Sequence, residues 1–371
     1  MEFIPVKLAL STLCENPDRR TGLSTLFPEF IGHARRLFPE VSWIVFAGGN
    51  APWGTDDPAV EVCREFCSNE RPVRRLFADH LLVAPEARRR GAAALLTAGF
   101  FPLRSAGLPI VMHVFALNHG AGRGGLRSAY RGWAVNRGLR RSALVIVNSA
   151  WSRSRLPRGG APVIVSPEGL NHGSFNPLGP RGAPGFGGAY LLWVSNLYPY
   201  KRVELALAAY AGLPRVVRSQ FPLVVAGGDW SGGRARAETA AARLGIRDDV
   251  RFLGWVPDEA LPALYRGARA HLLSTAEETF GRSVLEAMAC GCPNVLQDLP
   301  VLREVAGESA VYTDFADPPA ASAALLSVCS DAVRHARLAA SGIARSGAFT
   351  FERLARERVA AVLAAVGKGS G

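Results

Sequence analysis

Short apolar runs alternate with amphipathic stretches along most of the chain. Val6–Leu13 (VKLALSTL), Val41–Ala47 (VSWIVFA), Leu108–Phe115 (LPIVMHVF), Ala143–Ser149 (ALVIVNS) and Ala161–Ser166 (APVIVS) have the length and composition of strands buried on both faces. Between the first two, Phe27, Phe30, Ile31, Ala34 and Leu37 recur at helical spacing, which predicts a helix from about Thr25 to Phe38 with Ser24 as its cap. Glu86–Ala98 (EARRRGAAALLTA) reads as a basic helix, and Arg127–Arg141 as another. Residues 50–80 show no clear period.

A Gly/Pro-rich stretch from Asn171 to Gly188 reads as an interdomain linker. Beyond it the alternation resumes. Ala189–Ser195, Pro222–Ala226, Val250–Gly254, Ala268–Leu273, Pro293–Leu296 and Ala310–Tyr312 read as strands. Helical stretches at Lys201–Ala211, Arg234–Leu244, Pro257–Tyr265, Ser283–Cys290 and Leu299–Ala306 separate them, and helices dominate from Pro319 to Gly367. Strands alternating with helices predict an α/β protein of two Rossmann-like parallel-sheet domains facing a central cleft. The expected boundaries are 1–178 and 179–349, with a last helix of about 350–371 returning to the first domain. A length of 371 residues suits two domains. The loop after the first strand lacks GxGxxG, which disfavours a dinucleotide site. Gly22 in that loop, having no Cβ, would let backbone approach a ligand.

Composition adds a few limits. Hydrophobic residues at 49% and charged residues at 20% indicate a soluble globular chain. No signal peptide is evident, and no uncharged apolar run reaches the roughly 18 residues of a membrane span. The six cysteines lack metal-ligand spacing and read as reduced thiols of a cytoplasmic protein. Net charge is +12, and residues 1–180 hold 22 Lys+Arg against 13 Asp+Glu. That excess suggests an anionic partner, such as a membrane surface at the inner face of the cell membrane, a lipid phosphate or nucleic acid, or simply a solvated Arg-rich surface. Arg88, Arg89 and Arg90 beside Leu95, Leu96, Phe100 and Phe101 suit either an interfacial membrane patch or, better, a crossover helix packed on a sheet. An aromatic-interleaved basic strand of the RNA-binding kind is missing, so nucleic acid is not the expected partner.

Candidate chemistry concentrates at Glu278-Thr279-Phe280-Gly281-Arg282-Ser283-Val284-Leu285-Glu286. One carboxylate ends a strand and the other stands on the first turns of the next helix. Such a turn is where open α/β sheets bind ligands, and the helix N-terminus favours phosphate. His113 sits where a parallel strand delivers side chains to the crevice, with His119 six residues on.

These residues resemble the retaining nucleotide-sugar glycosyltransferases of the group 1 class, family 4, which have the GT-B architecture. Glu278-Thr279-Phe280-Gly281 with Val284–Pro293 is similar to that family's E-x7-E motif, and Val194–Arg202 to its diphosphate loop. Leu253–Pro257, Leu264–Ala268 and Leu302–Gly307 fall in the family's order. The N-terminal half is similar more loosely, through Thr21-Gly22, His113, Val147-Asn148-Ser149 and Pro167-Glu168-Gly169. The resemblance implies hexosyl transfer from a nucleotide diphosphate sugar to an acceptor hydroxyl with retained configuration, without a covalent nucleophile or metal. It implies that Lys201 and Arg202 stabilise the leaving diphosphate, that Glu278 faces the sugar, that Glu286 takes the ribose, and that Val256 meets the base. Asn196, Gly228, Thr279, Phe280 and Gly281 would complete the donor site, with Gly22 closing from the N-terminal loop and His113 near the anomeric carbon. The family usually has Arg where Asn196 stands. A saccharide or lipid-linked saccharide acceptor is expected, in cell-surface polysaccharide or glycolipid assembly. A natural-product glycosyltransferase, an epimerase of the same fold and a non-catalytic binding protein are the alternatives.

Overall fold

A computed structural model describes residues 6–15, 22–49, 51, 53–54, 56–98, 100–115, 126–183, 187–229 and 231–367. The chain folds as two units, 1–169 with 350–371, and 170–349.

In the first unit the strands are β1 (Val6–Ser11), β2 (Val41–Gly48), β3 (Val60–Phe66), β4 (Ala94–Ala98), β5 (Ile110–Val114), β6 (Leu144–Val147) and β7 (Val163–Val165). They form one sheet in the order β3-β2-β1-β4-β5-β6-β7. Every pairing is parallel. The apolar strands are buried because helices cover both faces. Leu8, Val45, Leu96 and Val111 pack with Phe27, Phe30 and Ile31 of the helix Gly22–Leu37. The helix Phe351–Gly367 joins the same core through Leu354, Val359 and Val362. Burying each such side chain contributes about 1.5–3 kcal/mol.

The second unit has β8 (Tyr190–Val194), β9 (Leu223–Ala226), β10 (Val250–Gly254), β11 (Ala268–Leu273), β12 (Asn294–Gln297) and β13 (Ala310–Thr313), ordered β10-β9-β8-β11-β12-β13. These pairings are parallel too. Both sheets reverse strand order beside their first strand. The switch point lies between β1 and β4 in one unit and between β8 and β11 in the other, the position where open parallel sheets take ligands.

The expected basic helix over residues 86–98 does not form. A helix ends at Arg89, the chain turns at Gly91 (φ +84°), and Ala94–Ala98 is the central strand β4. The apolar run ALLTA reads equally as strand or helix by period; pairing with β1 and β5 decides it. The proposed interfacial patch therefore does not exist: Leu95, Leu96, Phe100 and Phe101 are all buried. Residues 50–80, expected to be irregular, contain β3 and the helix Pro72–Phe77, followed by a π-helical turn over Ala78–Leu82. Ser24 lies within the first helix, which starts at Gly22, so it is not its cap. Residues 170–178, expected at the end of the first domain, belong with the second. There the Arg266 guanidinium donates to the carbonyls of Asn176 (2.7 Å) and Ser174 (2.9 Å), so the stretch is held in place and is not a free spacer. Among the described residues no helix is long and apolar enough to cross a membrane.

Candidate functional site

At the carboxyl end of β8 the chain enters a tight loop that runs to Arg202. Gly227 shapes its far side. A Cβ there would stand 1.7 Å from the Ser195 carbonyl oxygen, so no other residue fits. The Asn196 side-chain oxygen accepts from the Gly228 amide (3.2 Å), and the Leu197 amide donates to the Gly228 carbonyl (3.0 Å). Asn196 thus ties two strand-end loops together, a task its short neutral amide performs well. Pro199–Lys201 makes one 3-10 turn, and Arg202 follows in the left-handed region (φ 49°, ψ 47°), uncommon for a side chain of this size. The end of β11 holds that conformation. The Ser274 hydroxyl donates to the Arg202 carbonyl (2.8 Å), and the Ala276 amide donates to the Tyr200 carbonyl (2.8 Å).

This clamp brings two sequence-predicted residues together. The Lys201 ammonium forms an ion pair with Glu278, and lies 5.2 Å from the centre of the Tyr200 ring. Their side chains are only 12% and 14% exposed, so the pair is largely shielded from solvent. Thr279 is half-buried. Phe280 is buried edge-on to Phe349 (5.7 Å), so its side chain serves packing and leaves only its backbone to a ligand. Gly281 (φ 98°) then opens the helix Arg282–Ala289. Val256 is half-buried and follows the exposed Trp255.

Glu286 is 7% exposed. Arg282, one helical turn before it, donates to Oε1 (3.0 Å), and the buried Tyr265 hydroxyl donates to Oε2 (3.0 Å). Burial pushes the Glu286 carboxyl above the usual carboxylate range, and the Arg282 charge opposes that. Arg282 was legible as an i, i+4 partner. Tyr265, 21 residues upstream, and Ser274 carried no such signal, and Gly227 was hidden in an ordinary-looking Gly-Gly pair.

The first-unit candidates stand differently. Gly22 begins the first helix, while Arg19, Arg20 and Thr21 lie outside the described residues, as does His119. His113 is buried on β5 with both ring nitrogens occupied. The Arg358 guanidinium donates to Nδ1 (3.2 Å), so Nε2 carries the hydrogen and donates to the Asn148 oxygen (2.6 Å). The Asn148 amide in turn donates to Glu168 (2.9 Å). Burial, then the neighbouring Arg358 charge, hold the imidazole well below its ordinary pKa, so it is neutral. Arg358 donates further to the Ser166 hydroxyl (3.2 Å) and carbonyl (3.0 Å). Burial lowers its own pKa to about 10. Among the described residues no three His, Cys, Asp or Glu side chains gather as a metal would require.

Residues 186–345 match the family model for glycosyl transferases group 1, and that span holds the whole Lys201–Glu278–Glu286 arrangement. The second unit is thus similar to the group 1 glycosyl transferases. The chain is 33% identical over 171 residues to the O-antigen chain mannosyltransferase B of Escherichia coli, covering 46% of this chain and 44% of that protein. It thus spans less than half of that curated relative. Over the whole fold it is similar to sucrose-phosphate synthase of Thermosynechococcus elongatus, with a TM-score of 0.77 at 20% identity, covering 95% of this chain and 97% of the other. It is also similar to Anabaena HepE, solved in complex with UDP and glucose, with a TM-score of 0.72 at 18% identity, covering 97% and 99%. The fold is GT-B.

Proposed function

We propose that this chain transfers a hexosyl group from a nucleotide diphosphate sugar to an acceptor hydroxyl with retained anomeric configuration. The observation that carries the reading is the Lys201–Glu278 ion pair at the switch point of the second sheet, beside the helix that opens at Gly281. A diphosphate gains negative charge as it leaves, and a fixed ammonium there lowers the barrier. On binding, Lys201 exchanges Glu278 for the diphosphate, and Glu278 is freed to accept from hydroxyls of the hexose. Arg202 is exposed and adjacent, and supplies a second cation where Asn196 is neutral and committed to Gly228. Glu286, held by Arg282 and Tyr265, accepts from the ribose. The amides after Gly281 and the backbone at Val256 complete the donor contacts. The leaving phosphate takes the acceptor proton on the front face, so no side-chain nucleophile and no metal is needed. His113, with both nitrogens occupied, positions its strand end and does not transfer protons.

The acceptor in this reading is a saccharide or lipid-linked saccharide in cell-surface polysaccharide assembly, used in the cytoplasm at the inner face of the membrane. The name of the Escherichia coli mannosyltransferase and the UDP and glucose in HepE support a nucleotide sugar of mannose or glucose. The test is thermal stabilisation of the chain by mannose and glucose nucleotide diphosphates, followed by transfer assays with the stabilising donor. Selective stabilisation, lost in Lys201→Ala, is expected; stabilisation by none of them overturns the donor assignment. Product anomeric configuration, read by NMR, is expected to match the donor's, and an inverted product removes the retaining mechanism. Turnover unchanged by a chelator is expected.

A further inference from the structure

The helix Leu126–Arg141 in the first unit has five arginines and no acidic residue. One side of it serves the core. Ala134 and Leu139 are buried, and a Cβ at Gly138 would meet the Met112 sulfur at 2.2 Å. Another side, with Trp133, Asn136, Arg137, Arg140 and Arg141 at helical spacing, lines a groove of about 670 Å³.

Three observations set this groove apart from an ordinary solvated face. First, three guanidinium groups that have no acidic partner among the described residues, those of Arg137, Arg140 and Arg141, line one groove, whereas Arg35 meets Asp57 and Arg90 meets Glu61, Glu65 and Glu86. Second, the Arg137 guanidinium lies near two rings, 5.7 Å from the Trp133 centroid and 5.5 Å from that of Phe101, and its Nε is buried without an acceptor. A buried guanidinium donor left unmade costs free energy that a bound acceptor returns. Burial, then the like charge of Arg141, lower the Arg137 pKa. Third, Trp133 is 44% exposed at the same place. An indole face stacks on the C–H face of a pyranose, an Asn amide bonds its hydroxyls, and guanidinium forks take phosphate bidentately.

We infer that this groove binds a phosphate ester of a saccharide or head group, with Arg137, Arg140 and Arg141 on the phosphate and Trp133 with Asn136 on the attached ring. The inference is independent of the donor site, which lies in the other unit.

The test titrates the full chain with glucose 1-phosphate by calorimetry. In parallel the chain is sedimented with phosphatidylcholine vesicles carrying phosphatidylglycerol, both at about 150 mM salt so that diffuse attraction is screened. Binding in the first arm assigns a soluble phosphate ester; sedimentation alone assigns a lipid head group; both together assign the shared phosphate chemistry. In each case the combined Arg137→Gln, Arg140→Gln and Arg141→Gln substitution lowers affinity about tenfold or more. The single Arg140→Gln substitution, at an exposed position that leaves the core intact, lowers it about threefold. Binding in neither arm, or binding that both variants leave unchanged, overturns the inference.

Discussion

The two sheets of this chain have matching topological switch points, and they are furnished in opposite ways. Between β8 and β11 stand Lys201 and Glu278, an ion pair that the proposed function has trade partners for a ligand. Between β1 and β4 the polar groups are sealed. The Ser11 hydroxyl donates to Asp79 (2.9 Å), both are about 1% exposed, and the nearby Glu15 is buried with one carboxyl oxygen unpartnered. Burial raises Asp79 to about 6 and Glu15 to about 8. His113 on β5 belongs to the same closed pattern. One fold topology thus carries an ion pair at one switch point and buried polar groups, two of their oxygens without a hydrogen-bond partner, at the other. Location at a strand end does not make a residue catalytic; a free bonding direction is also required.

That contrast can be broken experimentally. Lys201→Ala removes the exchangeable cation, and hexosyl transfer is expected to fall about 10²–10³-fold with an unchanged unfolding midpoint, read from initial rates and thermal melts. A rate within a factor of about three of wild type would place the diphosphate elsewhere. Arg358→Ala attacks the sealed side. It strands His113 Nδ1 and the Ser166 carbonyl, and a loss of about 3 kcal/mol is expected in denaturant unfolding. A loss below about 0.5 kcal/mol would show that the network is solvated and not closed.

Glu15→Gln sharpens the comparison through pH. The unfolded chain ionises Glu15 above about 4.5, while the folded chain keeps it neutral to about 8. The folded state therefore binds the extra proton across that window, and wild-type stability falls as pH rises through it. Glu15→Gln is expected to flatten the slope, with a relative gain of about 4 kcal/mol at pH 8 over its effect at pH 4 in denaturant curves. Parallel curves for both proteins would show that Glu15 is ionised in the fold. Tyr265→Phe makes the smallest change. Glu286 loses one of two donors, and about 1 kcal/mol of stability with a KM for donor raised about threefold is expected. An unaltered KM would separate Glu286 from donor binding.

Much of the architecture was legible because parallel strands buried on both faces read as continuous apolar runs, and those runs became β1, β2, β5, β6 and most of the second sheet. Residues 86–98 misled because the basic run at Arg88–Arg90 and the apolar ALLTA join without a polar gap, and only pairing with β1 and β5 divides them. In the second unit, spacing and resemblance pointed to Lys201, Glu278 and Glu286, and the fold brings the first two together. What spacing could not give were the partners that decide each group's freedom. Arg358 reaches His113 from 245 residues away, and Ser274 props the Lys201 turn from 73 residues away. Such partners follow from topology, not from local pattern.

The helix Phe351–Gly367 has a consequence for how the molecule is made. The second unit is continuous in the chain, so a ribosome delivers all of its strands before the last helix emerges. The first unit, although synthesised first, must wait with Leu8, Phe30 and Val45 uncovered until Leu354, Val359 and Val362 arrive. The order of birth and the order of completion are therefore reversed.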